Sequence, residues 1–471
     1  MFRFMRVPFV SIAVVVVASC TLGRDYKRPA IETPCTYRFG STGTSTASLA
    51  DLQWFELFRD DTLTQLVKAA LQENFEVRIA AERVLQARAA YGITRAGQWP
   101  SVDVAAGVTA ARGSQEGANR GIPAGVDTDV SYTQAGFSLG WELDVWGRLR
   151  RLSEAARAQY LATEDARRGV VTTLVADVSE TYLELRALDL ELEIARRTRD
   201  VANDSLRLTE ARRASGVASA LDVRQAEQLL FTATGQIASI EREIAQAENA
   251  LSLLLGHVPG DVPRGRPLEA LQAPPAVPAG LPSALLERRP DIRRAEQELV
   301  AANAQIGAAK AEYFPRISLT GFLGGQSRAL TDLLSAPARL ATASLGATAP
   351  VFNAGRTRGN VKLAEAIHRE AIVNYQRVIY TAFRDVSDGL AAYTKTNEQR
   401  TQQERLVEAL TASSQLATQR YQGGLDSYLP VLDAQRNLFQ GELELARLRQ
   451  QELATVVQLY RALGGGWSPT S

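Results

Sequence analysis

Few side chains in this chain are suited to covalent or metal chemistry. Its 471 residues include two His and two Cys. His257, His368, Cys20 and Cys35 stand far apart, without the close spacing that a zinc site requires. Gly464-Gly465-Gly466 lacks the following helix that a phosphate loop needs. The pairs Arg150-Arg151, Arg167-Arg168 and Arg196-Arg197 are basic, but acidic residues accompany them at helix spacing, as Glu164 does Arg168 and Glu193 does Arg197. That pattern reads as a solvated helix face. With 53 basic and 52 acidic residues, the chain has no overall attraction for nucleic acid. Neither catalysis nor nucleic-acid binding is expected, and no cofactor or metal.

Two groups of residues stand out. The first is at the amino terminus, where Arg3 and Arg6 precede an apolar run, 7–17, too short to span a bilayer as a mature helix. This reads as an export signal. Val17-Ala18-Ser19-Cys20 closes it and resembles a bacterial lipobox. That resemblance implies cleavage before Cys20 and acylation of its thiol and new amino group, leaving a covalent lipid. An ordinary signal peptide with a coincidental cysteine is the alternative. Thr21 follows where Asp is absent, which resembles lipoproteins sorted to the outer membrane. Cys35 is then left without a partner, so no disulfide is expected. The second group is Leu429, Asp433 and Arg436, spaced i, i+4 and then i+3, hence on one helix face.

The elements that position these residues come from a duplication. Asp177-Val178-Ser179-Glu180 returns as Asp385-Val386-Ser387-Asp388, a shift of 208 (385 less 177). The same shift carries Gly216-Val217-Ala218-Ser219 onto Gly424-Leu425-Asp426-Ser427 and Leu255-Gly256 onto Leu463-Gly464. Earlier in each half, Gly92 and Trp99-Pro100 match Gly307 and Phe314-Pro315, a shift of 215 (307 less 92). Val171, Val175, Val178, Tyr182 and Leu185 form a near-heptad helix stripe, repeated by Ile379, Phe383, Val386, Leu390 and Tyr393. Gly216 and Gly424 end those helices. Ser219 and Ser427 are the expected N-caps of the returning ones, with Asp222 completing a capping box, and Pro430 fits a first turn. Each half is thus a long helical hairpin. A further helical pattern runs over about 62–96.

Beyond each aromatic–proline pair the period becomes two. Four strands are predicted, at about 100–112, 131–146, 315–325 and 340–353, each long enough to cross a bilayer when tilted. Trp99, Trp141, Trp146, Tyr313, Phe314 and Phe352 mark their helix-proximal ends, as an interfacial girdle requires. Loops 113–129 and 326–337 lie at the other end, facing outside the cell. Four strands cannot close a channel, and open edges are not tolerated in lipid. Three copies supply 3 × 4 = 12 strands, about the number a small bacterial barrel uses.

The expected division is a signal peptide, 1–19; a lipidated extended linker, 20–53; a first repeat, 54–256, with its tip at 216–219; a crossover, 257–285; a second repeat, 286–464, with its tip at 423–427; and a tail, 465–471. With these motifs in view, the chain resembles a TolC-like outer-membrane factor of the NodT-type lipoprotein branch over essentially its whole length. The resemblance rests on the Cys20 lipobox, Leu286-Glu287-Arg288-Arg289-Pro290-Asp291-Ile292, Tyr313-Phe314-Pro315-Arg316-Ile317, Pro350-Val351-Phe352-Asn353-Ala354-Gly355-Arg356 and Val431-Leu432-Asp433-Ala434-Gln435-Arg436. It implies a mixed α and transmembrane-β fold: a homotrimer with a 12-stranded barrel continued by a periplasmic helical tunnel. It also implies the role of exit duct in a tripartite efflux pump, with a periplasmic adaptor (membrane fusion) protein and an inner-membrane transporter of RND type. A duct for type I protein secretion is the alternative, and a periplasmic adaptor is disfavoured by the tandem duplication. In the family the tips Gly216, Val217, Ala218, Ser219, Gly424, Leu425, Asp426 and Ser427 meet the adaptor. Leu429 and Asp433, with Arg436 beside them, match the constriction at the periplasmic end. If Cys20 is the acylated residue, Cys20→Ser abolishes incorporation of radioactive palmitate; undiminished labelling refutes the lipoprotein reading.

Overall fold

The computed structural model describes residues 21–39, 48–51, 58–112, 129–271, 278–280 and 282–465. The signal peptide, Cys20, the aromatic run 54–57, most of the first loop and the tail after 465 lie outside the described residues. The chain divides into two units, one built from the amino-terminal segment to Pro29 with Gln86–Leu161 and Gln297–Val373, the other from Ala30–Leu85, Ala162–Glu296 and Asn374–Ser471. Twelve main elements run in order: α1 (Asp61–Glu73), α2 (Phe75–Ala96), β1 (Ser101–Arg112), β2 (Asp129–Leu143), α3 (Arg148–Ala214), α4 (Ala220–Leu254), α5 (Pro282–Arg288), α6 (Pro290–Ala311), β3 (Arg316–Ser327), β4 (Arg339–Thr348), α7 (Arg356–Gln422) and α8 (Leu429–Ala462). The duplication is reproduced at residue level, since α3 and α7 each have 67 residues. At ~1.5 Å per residue such a helix is ~100 Å long.

In the first unit the four strands form one antiparallel sheet in the order β1-β2-β3-β4. β2 and β3 come from different halves, so the sheet joins the two repeats, and β1 and β4 are its edges. Opposed residues of antiparallel strands project to the same face. The register Val102↔Leu139, Val104↔Phe137 and Phe137↔Leu323 therefore makes one apolar face, continued by Leu319↔Leu345 and Leu323↔Ala341. The register Asp103↔Ser138, Glu142↔Ser318 and Thr320↔Ser344 makes the other face polar. Val104 is 76% exposed, and Val108, Phe137, Leu323 and Leu345 are exposed as well. Among the described residues no core covers this face; the pattern is that of a strand set with lipid on one side and water on the other. Gly136 and Gly324 face each other across the β2–β3 ladder. A Cβ on Gly324 would lie 2.3 Å from the Ala135 carbonyl oxygen and 2.9 Å from the Phe322 ring, so the aromatic fills the space that glycine leaves.

Two strands end earlier than the alternation suggests. β2 stops at Leu143 rather than near 146, because the Asp144 carboxylate turns to accept the Leu149 and Arg150 amides at 2.9 and 2.8 Å and so caps α3. β4 stops at Thr348 rather than near 353. Pro350 cannot donate to a ladder, and Ala354 and Gly355 take positive φ of 50° and 84° to turn the chain into α7. The strand–helix corners are held by tryptophans: Trp146 Nε1 donates to the Pro315 carbonyl at 2.8 Å and its ring lies 4.8 Å from that of Phe314. Trp141 Nε1 donates to the Gln98 carbonyl at 3.0 Å. Below the corners Ala155 and Ala158 of α3 pack on Ala301 and Ala304 of α6, small residues that let helix backbones approach closely.

The second unit holds the hairpins. The predicted stripe is buried along its middle, with Val178, Tyr182 and Leu185 enclosed on α3 and Ile379 and Val386 on α7, while Val171, Phe383 and Tyr393 are half-buried. One expectation needs correction: the pattern over 62–96 is two helices, broken at Asn74. Asn74 Oδ1 accepts the Glu76 and Val77 amides at 2.8 and 3.2 Å, while Nδ2 donates to the Leu254 carbonyl at 2.8 Å. One buried side chain thus caps α2 and closes the end of α4. A second correction concerns Arg151, expected on a solvated face but only 4% exposed, because backbone carbonyls of the amino-terminal segment surround its guanidinium.

Asp60, which no sequence pattern marks, ties three segments together. It is buried, accepts the Thr62 and Leu63 amides at 2.8 and 3.0 Å as N-cap of α1, and accepts the Arg266 amide at 3.1 Å from the crossover. The Tyr182 hydroxyl donates to it at 3.2 Å and accepts the Gly265 amide at 2.9 Å. Burial pushes the Tyr182 phenol up to about 12, so it remains a donor at any physiological pH. Gly265 is required because a Cβ there would sit 2.4 Å from the carboxylate. Asp60→Ala removes the cap and strands two donors, which should cost about 2 kcal/mol locally. Hydrogen exchange at the Thr62 and Leu63 amides should then rise roughly thirtyfold, and an unchanged exchange rate would show that the cap carries no stability.

Candidate functional site

The expected functional residues cluster at the hairpin ends. Both long helices close with the same motif: the Gly216 and Val217 amides donate to the Arg213 and Arg212 carbonyls at 3.0 and 2.8 Å, and the Gly424 and Leu425 amides to the Tyr421 and Arg420 carbonyls at 3.0 and 2.9 Å. This bond pair needs a left-handed residue, and Gly216 and Gly424 have φ of 76° and 72°. A Cβ on either meets nothing within 4 Å, so φ, not space, is the constraint here. Val217 and Leu425 project into open surroundings at 72% and 70% exposure.

The two returning helices start differently. Ser219 caps α4 by accepting the Asp222 amide at 3.2 Å, and Asp222 accepts the Ser219 amide at 2.8 Å, the predicted capping box. Ser427 does not cap α8. Tyr428 is the cap residue, without a side-chain bond, and Pro430 occupies the first turn. Asp426, the neighbour of Ser427, instead pairs with Arg420 at 2.5 Å, and that bond holds its carboxyl below the usual range.

The structure brings the two hairpins together just above the turns. Ala202 of α3, Ala226 and Leu229 of α4, Tyr421 of α7, the cap residue Tyr428, and Val431 and Leu432 of α8 form one buried cluster. Burial pushes the Tyr428 phenol up to about 12. Arg212 adds a polar tie that sequence reading missed: it donates to the Tyr421 and Gln422 carbonyls, both at 2.7 Å, and lies 4.5 Å over the Tyr421 ring. Those carbonyls are the unsatisfied end of α7. The signal for it was a basic residue in the last turn of the partner hairpin, readable only once the hairpins were known to be neighbours.

Leu429, Asp433 and Arg436 share an exposed face beyond the second turn, as their spacing requires. Within the chain Arg436 donates to Asp433 at 3.0 Å and Asn437 to its other oxygen at 3.3 Å. Both charged side chains are more than half exposed, so the bridge is worth at most a few tenths of a kcal/mol. Shifted by the repeat, the same positions are Leu221, Gln225 and Gln228, which carry no charge. Farther up, the repeated aspartates each meet an arginine. Arg289 reaches Asp385 at 3.3 Å and Asp291 at 2.6 Å, and Arg461 stands 4.0 Å from Asp177. Burial raises the Asp177 carboxyl, with Arg461 opposing. Among the described residues no group of His, Cys, Asp or Glu could hold a metal ion, and no helix is long and apolar enough to cross a membrane.

A membrane-type sheet joined to duplicated long hairpins defines the class of outer-membrane channel chains with the TolC-like fold. The chain belongs to the outer membrane efflux protein family, whose model matches residues 66–257 and 281–465. It is 41% identical to the solvent efflux pump outer membrane protein SrpC of Pseudomonas putida, over 99% of each chain. It is 35% identical to the probable outer membrane lipoprotein SilC of Salmonella typhimurium, over 96% of this chain and 97% of that one. Among solved structures, the outer-membrane channel OprN superposes with a TM-score of 0.88 at 30% identity, covering 96% of this chain and all of the other. Family membership places the chain in the outer membrane as a transport component.

The unequal helix starts are directly testable. Ser219→Ala should cost about 1 kcal/mol and raise hydrogen exchange in the first turn of α4. Ser427→Ala should leave the first turn of α8 unchanged. Equal effects would contradict the capping asymmetry.

Proposed function

We propose that three copies of this chain close a 12-stranded barrel, continued by a periplasmic tunnel of helices, and that the trimer is the passive exit duct of a tripartite efflux pump. The observation that carries the proposal is the four-stranded sheet with an apolar face and two unpaired edges, β1 and β4. In hydrocarbon every edge amide must find a partner. Pairing β1 of one copy with β4 of the next satisfies all of them when the ring closes. The chain carries the lipid of an outer-membrane lipoprotein on Cys20, and the name of SilC supports that reading. An inner-membrane transporter, of RND type, supplies the energy, and an adaptor joins it to the turns at 216–219 and 424–427.

At the periplasmic end, threefold symmetry brings three copies of Leu429 and Asp433 around the axis. Leu429 narrows the passage. The Asp433 carboxylates attract cations and repel one another, and Arg436 moderates that repulsion through the bond it already makes. Family resemblance and the charge found only in the second repeat support this assignment. The duct does no chemistry: its work is to hold a passage that opens when the transporter and adaptor engage.

Two measurements test the proposal together. Unheated outer-membrane fractions should run on a denaturing gel at trimer size and collapse to the monomer on heating; a monomer in both lanes overturns the barrel. In planar bilayers Asp433→Ala should raise single-channel conductance and weaken block by divalent cations, and wild-type values for both would place Asp433 away from the constriction.

A further inference from the structure

The buried Arg151 has partners that a stabilising helix residue does not need. Its Nε donates to the Leu22 carbonyl at 3.1 Å, and Nη2 donates to the Gly23 carbonyl at 3.2 Å and to Asp25 at 2.8 Å. Only the fourth bond, Nη1 to Glu154 at 2.7 Å, stays on its own helix. A guanidinium taken out of water must have its donors filled, and here three of the four bonds come from residues 22–25.

The same short segment is fitted on two further sides. The Leu22 amide donates to the Trp146 carbonyl at 3.2 Å, and Asn303 of α6 donates to the Arg24 carbonyl at 3.0 Å. Gly23, at φ 93°, sits so close to α6 that a Cβ on it would lie 2.7 Å from the Gly307 Cα. A Cβ on Gly307 would lie 2.5 Å from the Leu22 carbonyl oxygen, and one on Gly147, at φ 77°, 2.6 Å from the Thr21 side chain. Glycine inside a helix costs about 1 kcal/mol. At Gly307 the close passage of the segment explains it.

The duplication makes this corner stand out. Gly147 and Gly355 open α3 and α7 at equivalent places, both with positive φ, and Gly92 is the counterpart of Gly307. At Gly92, Gly355 and Gly359, the last standing where the repeat puts Arg151, an added Cβ meets nothing within 4 Å. The repeat thus built two similar corners, and only the one with arginine receives the segment.

We propose that the Gly147–Arg151 corner together with Gly307 is a receptor site for the chain's own processed amino terminus. Thr21 is seated there, and Cys20 is its covalent neighbour, one peptide unit or about 3.8 Å away. Resting on the lipoprotein reading, the site delivers the lipid on Cys20 to the strand–helix corner at Trp146 with no slack, instead of leaving it on a flexible leash. Arg151 is a positioning residue: it fixes where the acyl chains enter the membrane and forms no bond to them.

The test is limited trypsin digestion of folded, detergent-extracted protein labelled with palmitate, in a Lys27→Gln background so that Arg24 is the cleavable site beside the corner (Arg28 precedes Pro29), since cleavage after Arg24 separates the label from the chain. Wild type should keep its label. Arg151→Ala and Gly307→Val should each lose it at least about tenfold faster, with the heat-dissociable oligomer retained, while Gly92→Val, at the open counterpart, should match wild type. Arg151→Lys should recover part of the protection. Cys20→Ser behind a cleavable signal, followed by intact mass, should remain as protected at Arg24 as wild type. Rapid cleavage of Cys20→Ser would mean that the lipid, not the corner, holds the segment and would overturn the proposal. So would wild-type cleavage rates in both Arg151→Ala and Gly307→Val. Absence of label from wild type would remove the lipid reading alone, because the mass measurement still decides the site.

Discussion

A strand's edge is a row of amides and carbonyls, and in lipid those groups have no water to turn to. That constraint governs the chain. It explains why strands at distant places in the sequence share one sheet, with β2 of the first half bonded along its length to β3 of the second. Joining the halves removes two edges and leaves two, at β1 and β4. The apolar and polar faces follow from register alone, because a shift by one residue would turn Val104 and Phe137 to the water side and Asp103 to the lipid. The glycines at 136 and 324 then let the central strands meet closely, with Phe322 covering them.

The hairpins obey a different rule. A duplicated sequence repeats its helix ends: besides the two turns at Gly216 and Gly424, the returning helices finish alike, with the His257 amide on the Ser252 carbonyl at 2.9 Å and the Gly465 amide on the Tyr460 carbonyl at 3.0 Å. Equal long helices, of 67 residues each, and matching carboxy-terminal ends keep the copies in register. The copies also diverge in what the ends carry. One copy has a capping box at Ser219, the other a proline start and charges at Asp433 and Arg436. In the trimer proposed above, a repeated frame with unequal decoration would give two kinds of helix pair, where an exact repeat would give one.

Much of this was legible in sequence because it rests on local rules. The left-handed glycines, the stripe through Val178 and Tyr182, and the alternation of the strands are short-range patterns with one physical solution. Ser427 shows where analogy between repeats fails, since the same residue type stands at the same place but Pro430 and Asp426 change how the helix begins. The cap that Asn74 places on Glu76 and Val77 is local, but its second bond, to the Leu254 carbonyl 180 residues away, could not be read from the sequence. Arg151 looked like half of a solvated basic pair, and only the path of residues 21–25 shows that its face is covered. Asp60 belongs with these: its partners Tyr182 and Arg266 become neighbours only after folding. Cys20 is the reverse case: the lipid proposed for it rests on a short sequence motif, and the residue itself lies outside the described residues.

The bond from Trp146 to the Pro315 carbonyl spans 169 positions of sequence, and the whole β2–β3 ladder is equally remote. Between its two strands lie all of α3 and α4 and the crossover. The β2–β3 ladder therefore carries the largest closure cost in the sheet, since the ends of a long loop must meet before its bonds form, whereas β1–β2 and β3–β4 pair consecutive strands. Hairpins, whose contacts are nearer in sequence, can zip before it. A chain interrupted after its first half would own a finished hairpin and only a two-strand ribbon, which is marginal by itself. Connectivity thus sets one condition on assembly: the apolar face is completed only when the second half has arrived.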